Sequence, residues 1–259
     1  TSTRGFTEIE RVGPTLPDVL KENGYFFVQV NKRSNCYPWD RYIGEGDDHG
    51  RNVTKHGKIS QAENQNKPWF VMLNFNDPHR AFFGADHPAE HRWRPFSTVP
   101  SRVYSPDEIV VPGFLPDLPD VRMEVAQYYS SVRRADDGVG ALMKVFEDRG
   151  LVDNNLVVFL SDNGMSFPFA KITCYPASLR VPFIIRYPRI IQAGVQDTLN
   201  MVSAVDLAPT LLEMAGLTIP STMLGRSFAP LLELKDQEAR SGLRDRLLLP
   251  QPAFYTDVP

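Results

Sequence analysis

Cysteine is nearly absent. With two in 259 residues, Cys36 and Cys174, the chain has no disulfide framework, and neither belongs to a CxxC pair of the kind that holds zinc. The two could pair or stay free thiols. No charge of one sign dominates: 28 Lys and Arg face 31 Asp and Glu, a net charge of -3. That balance excludes the basic footprint of a nucleic-acid binder and the polyacidic arm of an interaction tail. No apolar run approaches the ~18 residues of a membrane span, and the opening TSTRGFTEIE holds no apolar signal core. A Gly-rich phosphate loop and a G-x-S-x-G elbow are missing too. Internal repeats do not occur, and neither does low-complexity sequence.

What remains suits a globular α/β chain. Hydrophobic residues are 42% and charged residues 23%, enough for a sizeable core in one large domain or one and a half ordinary ones. TLPDVLKE, residues 15–22, predicts a short helix closed by Asn23-Gly24. YFFVQV (25–30), PWFVMLNF (68–75), NLVVFLS (155–161) and VPFIIRY (181–187) predict strands. The third has no polar residue between its ends, the mark of a central strand covered on both faces. Residues 31–66 read as irregular, with a short helix near 58–64. The Pro-rich section 77–119 cannot be regular, and a loop that long is usually functional. Asp120 is expected to cap a long helix ending at Arg149-Gly150. Its apolar face runs through Val121, Val125, Tyr128, Val132, Ala135, Val139, Leu142 and Phe146. Ser203 to Asp206 is a capping box opening a helix to about Ala215, closed by Gly216. The charged segment after residue 232 marks a boundary, with the main domain at 1–232 and a surface tail or the start of another subdomain at 233–259.

Ligand-binding residues of open α/β sheets gather beyond the C-terminal ends of strands. Three such ends are polar: Asn31-Lys32-Arg33-Ser34, Asn76-Asp77-Pro78-His79-Arg80 and Asp162-Asn163-Gly164. Asp162 and Asn163 are hard oxygen donors, one charged and one neutral, which suit Ca²⁺ or Mg²⁺ better than zinc. By spacing alone the same residues read first as a turn in which Gly164 supplies φ > 0. His79 is a candidate anion- or proton-handling group, or a loop histidine bonded to backbone. Lys32 and Lys171 by default are solvated lysines. The pairs Asp47-Asp48 and Asp136-Asp137 read as structural or solvated, the second with Arg133 and Arg134 as counter-charges. Asn52-Val53-Thr54 is a glycosylation sequon.

Taken in order, TLPDVLKENGY, YPWD, GRNVT, NDPHR, QYYSSVRRADDGVG, SDNGMSFPFAK, SLRVPFIIRYP and DLAPTLLEMAG resemble the sulfatase family of the alkaline-phosphatase superfamily, in particular its sulfamidase-like members. The resemblance covers most of residues 14–232. It implies an α/β fold with a mostly parallel, mixed sheet sandwiched between helices, incomplete in this chain. It implies a hydrolase for sulfate esters or N-sulfo groups of a sugar, with a sulfated carbohydrate as partner. Asp162 and Asn163 match two ligands of a catalytic Ca²⁺. Lys32, His79 and Lys171 match catalytic groups around the sulfate, and Asp77 and Arg80 match its substrate pocket. Family members are expected in the periplasm or outside the cell in bacteria, and in lysosomes in animals.

The chain departs from the pattern in three ways. Neither cysteine has the Cys-x-Pro-Ser-Arg context from which the formylglycine nucleophile is made. That motif and an N-terminal aspartate pair of the metal site are expected upstream of the segment matching Thr15. Ser34 stands where the motif of Lys32 has histidine, and Asn31 where it has glycine; serine cannot serve as an imidazole acid. A non-catalytic relative with a binding role is therefore the competing expectation. A phosphoryl-transfer cousin would want more His and Asp ligands than five histidines without an Asp-x-x-x-His cluster provide.

Overall fold

The computed structural model describes residues 13–30, 41–43, 66–86 and 99–233. Lys32, Ser34, Cys36, Asp47, Asp48, the sequon at Asn52, the helix expected near 58–64 and the segment after 233 lie outside them. The described chain falls into two compact units. The first holds residues 13–30, 41–43, 66–73 and 187–233, and the second holds 74–86 and 99–186.

The first unit opens with helix α1, Leu16–Glu22. Thr15 caps it through a reciprocal box: the Asp18 backbone N–H donates to the Thr15 hydroxyl, and the Thr15 backbone N–H to the Asp18 carboxylate at 2.8 Å. Gly24, at φ +83, takes the left-handed turn after the helix. Strands β1 (Phe26–Val30), β2 (Arg41–Ile43) and β3 (Trp69–Leu73) form a parallel sheet in the order β2-β1-β3. Phe26 to Val30 register against Trp69 to Leu73 one for one. Val19, Leu20 and Leu212 form a buried cluster covered by Leu16, Tyr25 and Phe70. Each such aliphatic side chain contributes about 1.5–3 kcal/mol by leaving water. Leu212 belongs to helix α4, Leu207–Met214, which follows a 3-10 turn at Ala204–Asp206. The Ser203–Asp206 capping box is present, and the buried Asp206 carboxylate also accepts the Arg226 backbone N–H at 2.8 Å. Helix α5, Ala229–Glu233, ends the described unit.

The second unit is built on helix α2, Pro119–Asp148. Its N-cap is Leu118, without a side-chain cap, and Pro119 starts the helix, so Asp120 sits in the first turn instead of capping it. The expected apolar face is only partly buried. Val125 and Phe146 are covered, Val132 is 40% exposed, and the buried positions include Ser130, Ser131 and Arg134. The described parts of the Pro-rich section, 77–86 and 99–118, contain neither helix nor strand, as expected. They lie against α2 around a cluster of Phe82, Ile109, Val125, Ala126 and Phe167.

Strand β4, Val157–Leu160, corrects a second expectation. It pairs antiparallel with β5, Phe183–Arg186, in a two-stranded sheet. It is no covered central strand in the described residues: Phe159, Leu160 and Ile184 are exposed. An unbroken apolar run specifies a strand but not how many neighbours it has. The parallel and antiparallel pairings of the expected mixed sheet thus both occur, in separate sheets. Between β4 and β5 lies helix α3, Pro176–Leu179.

Candidate active site

Six of the seven residues singled out in the sequence lie in the second unit: Asp77, His79 and Arg80 in one loop, Asp162, Asn163 and Lys171 in another. Helix α2 fixes the first loop through a polar stripe. Glu124, Gln127, Ser131 and Arg134 recur at steps of three and four, so they share one face. Glu124 pairs with Arg80. The Gln127 amide donates to the Gly84 carbonyl at 3.1 Å, and the Phe83 N–H donates to the Ser131 hydroxyl at 2.7 Å. Arg134 grips Asp77 with two bonds, Nε to Oδ2 at 2.7 Å and Nη2 to Oδ1 at 3.0 Å. A second stripe on α2 fixes residues 101–104: Ser130 accepts the Tyr104 N–H at 3.0 Å, while Arg133 and Asp137 hold Ser101.

This arrangement separates roles within NDPHR. Asp77 and Arg134 both have side chains with 0% exposure, and each satisfies the other's charge. Asp77 therefore does not offer its carboxylate to solvent as a substrate-pocket residue would. Arg134 is committed here, and among the described residues Arg133 is the cation paired with Asp136 and Asp137. The His79 ring, by contrast, is exposed. Its Nδ1 lies 2.5 Å from the Arg80 carbonyl, an acceptor, so Nδ1 carries the proton in this contact.

Arg80 ties the two loops together. Its Nε donates across to the Ser166 carbonyl at 3.0 Å. Its guanidinium lies over the rings of Phe82 and Phe167, with centroids at 5.0 and 5.3 Å. The two rings stack at 5.6 Å, and Tyr128 of α2 meets both edge-on. Burial pushes the Tyr128 hydroxyl above its ordinary pKa, with the neighbouring Tyr129 adding to the shift. An aromatic wedge thus locks the NDPHR loop, the SDNG loop and α2 together.

The second loop begins at Asp162, which is exposed, and Asn163, which is half-buried. The Ser161 hydroxyl donates to the Asn163 carbonyl at 2.8 Å. The turn reading gave Gly164 a positive φ; it has none. The left-handed glycines of the described residues are Gly24, Gly84, Gly150, Gly194 and Gly216. Glycine is required at 164 for room: a Cβ would stand 2.1 Å from the Ala177 carbonyl oxygen and 2.4 Å from that of Ala170. Ser178, which sequence reasoning passed over, fastens this loop to α3. Its carbonyl accepts the Gly164 N–H at 3.3 Å, and its hydroxyl accepts the Thr173 N–H at 3.3 Å. Lys171 is half-buried between Phe169 and Ile172, both in the left-handed region. Cys174 is a free, exposed thiol.

As a metal site the donors match a hard divalent cation in kind. Among the described residues, no group of three or more His, Cys, Asp or Glu could hold an ion. Asp162 and Asn163 alone fall short of the ~6–8 oxygens that Ca²⁺ takes.

The sulfatase family profile matches residues 32–217, a span that includes every candidate above. The chain belongs to the sulfatase family. It is 29% identical over 255 residues to human N-sulphoglucosamine sulphohydrolase, a match covering 85% of this chain and 49% of that protein. The chain spans about half the length of the curated relatives it matches. A solved structure in complex with its substrate, D-glucosamine-2-N,6-O-disulfate, superposes with TM-score 0.60 at 20% identity, covering 86% of this chain and 65% of that one. A phosphonate monoester hydrolase from Silicibacter pomeroyi superposes with TM-score 0.59 at 17% identity, over 85% of this chain and 61% of that one. Likeness at these identities shows a shared α/β fold. It does not distinguish sulfate from phosphonate chemistry.

Proposed function

We propose that this family member carries one face of a sulfatase active site for a sulfated sugar, releasing sulfate from an ester or N-sulfo linkage. The observation that supports this most is the clamp of Arg80 and the Phe82–Phe167 stack, because it joins the loop bearing His79 to the loop bearing Asp162, Asn163 and Lys171. The relatives named for N-sulphoglucosamine and for a disulfated glucosamine support a glycan substrate.

In this reading Asp162 and Asn163 would supply two oxygen ligands to a bound Ca²⁺. Such an ion would offset the negative charge of the transferring sulfate. His79, held by its Nδ1–H to the Arg80 carbonyl, donates from Nε2 to a sulfate oxygen when protonated. Lys171 contributes a point charge to the same group. Lys32, outside the described residues, is assigned a further sulfate contact. Arg80 and Asp77 are assigned to positioning, since Glu124 and Arg134 engage them. Neither cysteine has a formylglycine context, so neither is assigned as the attacking group.

Sulfate titration of the purified chain, followed by NMR, tests the reading. Saturable binding is expected, weakened by Lys171→Ala and by His79→Ala and unaffected by Asp136→Ala. Binding indifferent to the first two substitutions overturns it.

A further inference from the structure

The loop around Lys171 carries more apolar surface than a sulfate contact needs. Phe169 is 48% exposed, Ile172 61% and Tyr175 56%. Phe169 and Ile172 have φ of +65° and +57°. Bulky and β-branched residues rarely adopt that region, and such conformations persist where the surroundings impose them. The surroundings here are specific. The Thr173 hydroxyl donates to the Phe169 carbonyl at 2.9 Å, and the Ala170 N–H donates to that of Phe167 at 3.1 Å. Tyr175 is fixed at the N-terminus of α3, its carbonyl accepting the Ser178 N–H at 2.9 Å. The Phe169 and Tyr175 rings meet edge-on, with centroids 5.4 Å apart at 87°. An edge-to-face pair leaves ring faces outside the pair.

We propose that Phe169 and Tyr175 form a stacking platform for the sugar ring whose sulfate group Lys171 holds, which makes them specificity-determining residues for a sulfated saccharide. The inference rests on the sulfate-site reading above. A pyranose ring has an apolar C–H face and polar edges. An aromatic face suits the first, and a neighbouring ammonium suits a sulfate on the second. A cation alone would take inorganic sulfate as readily as a sulfated sugar. The aromatic pair adds a contact that only the sugar can use, and Ile172 extends the apolar border.

The test is saturation-transfer NMR of the sugars on the full chain, with the aromatic protons irradiated, and chemical-shift titration of the same chain with inorganic sulfate. The probes are D-glucosamine-2-N,6-O-disulfate, unsulfated glucosamine and inorganic sulfate. The variants are Phe169→Asn, which tolerates the left-handed backbone, Tyr175→Ser and Lys171→Ala. Transfer to the ring protons of the disulfated sugar is expected. Each aromatic substitution should weaken its binding roughly 2- to 10-fold while leaving inorganic sulfate unchanged. Lys171→Ala should weaken both sulfated probes. If the aromatic variants bind the disulfated sugar like the wild type while Lys171→Ala loses sulfate, the platform is wrong and the sulfate site stands. If Lys171→Ala leaves sulfate binding unchanged, both fall. A wild-type dimer made monomeric by the aromatic substitutions would assign this surface to a second copy and overturn the platform.

Discussion

Arg134, in the middle of α2, reaches Asp77 with two hydrogen bonds of 2.7 and 3.0 Å, and neither side chain has any exposed surface. Asp77 sits two residues before His79 in sequence, and the pair anchors that loop to α2. Removing one partner strands the other's charge away from water. Arg134→Met is therefore expected to destabilise the second unit by about 3–5 kcal/mol, and the double change with Asp77→Leu by much less. Urea denaturation of both variants checks this. A double variant as unstable as the single one would mean that the pair's attraction, not an orphaned charge, governs the loss.

Gly164→Ala places a Cβ against two backbone carbonyls, those of Ala177 and Ala170. Backbone cannot swing aside as a flexible side chain can. The expected cost is about 1–3 kcal/mol, together with displacement of Asp162 and Asn163. Backbone chemical shifts confined to residues 161–178 would show the displacement. A loss below ~0.5 kcal/mol, the ordinary surface range, would contradict the close approach.

Asp137 ties α2 to residue 101. Burial pushes its carboxyl upward, but the Ser101 hydroxyl, the Ser101 backbone N–H and Arg133 together outweigh that and hold it below its ordinary 3.8. A carboxyl lowered in the folded state stabilises above its unfolded pKa and loses that contribution as pH falls through its folded value. Stability is thus expected to drop as the pH falls below about 3.8. Asp137→Asn should flatten that part of the profile. An unchanged acid slope in the variant would assign the loss to other carboxylates.

Much of the architecture was legible. Thr15 and Asp18 announce α1, Gly24 its end, and the β-branched and aromatic runs announce β1 and β3, because each signal is local. The polar stripe Glu124–Gln127–Ser131–Arg134 was not, because periodicity analysis counts apolar residues. A helix that packs against an irregular loop buries hydrogen-bonding groups on the face toward it. The Asp77–Arg134 pair spans 57 residues, and no spacing rule links two such positions. Gly164 was marked as special for the wrong reason: the carbonyls that crowd it belong to Ala170 and Ala177, which no local turn rule places beside it. The roles proposed for Asp162 and Lys171 rest on motif order along the chain, since either residue alone suits a turn or a solvated surface.

The purified chain is expected to show no turnover of an aryl sulfate, because no formylglycine motif occurs in it. A chromogenic assay at high protein concentration checks this. Hydrolysis that disappears in Lys171→Ala would place a complete site within these residues.

The central claim is that Asp162 and Asn163 bind a divalent ion beside His79 and Lys171. Paramagnetic broadening by Mn²⁺, standing in for Ca²⁺, measures that proximity most directly. The account expects broadening of Asp162, Asn163, His79 and Lys171 that Asp162→Ala abolishes. Broadening centred on Asp136 and Asp137, and indifferent to Asp162→Ala, would contradict it.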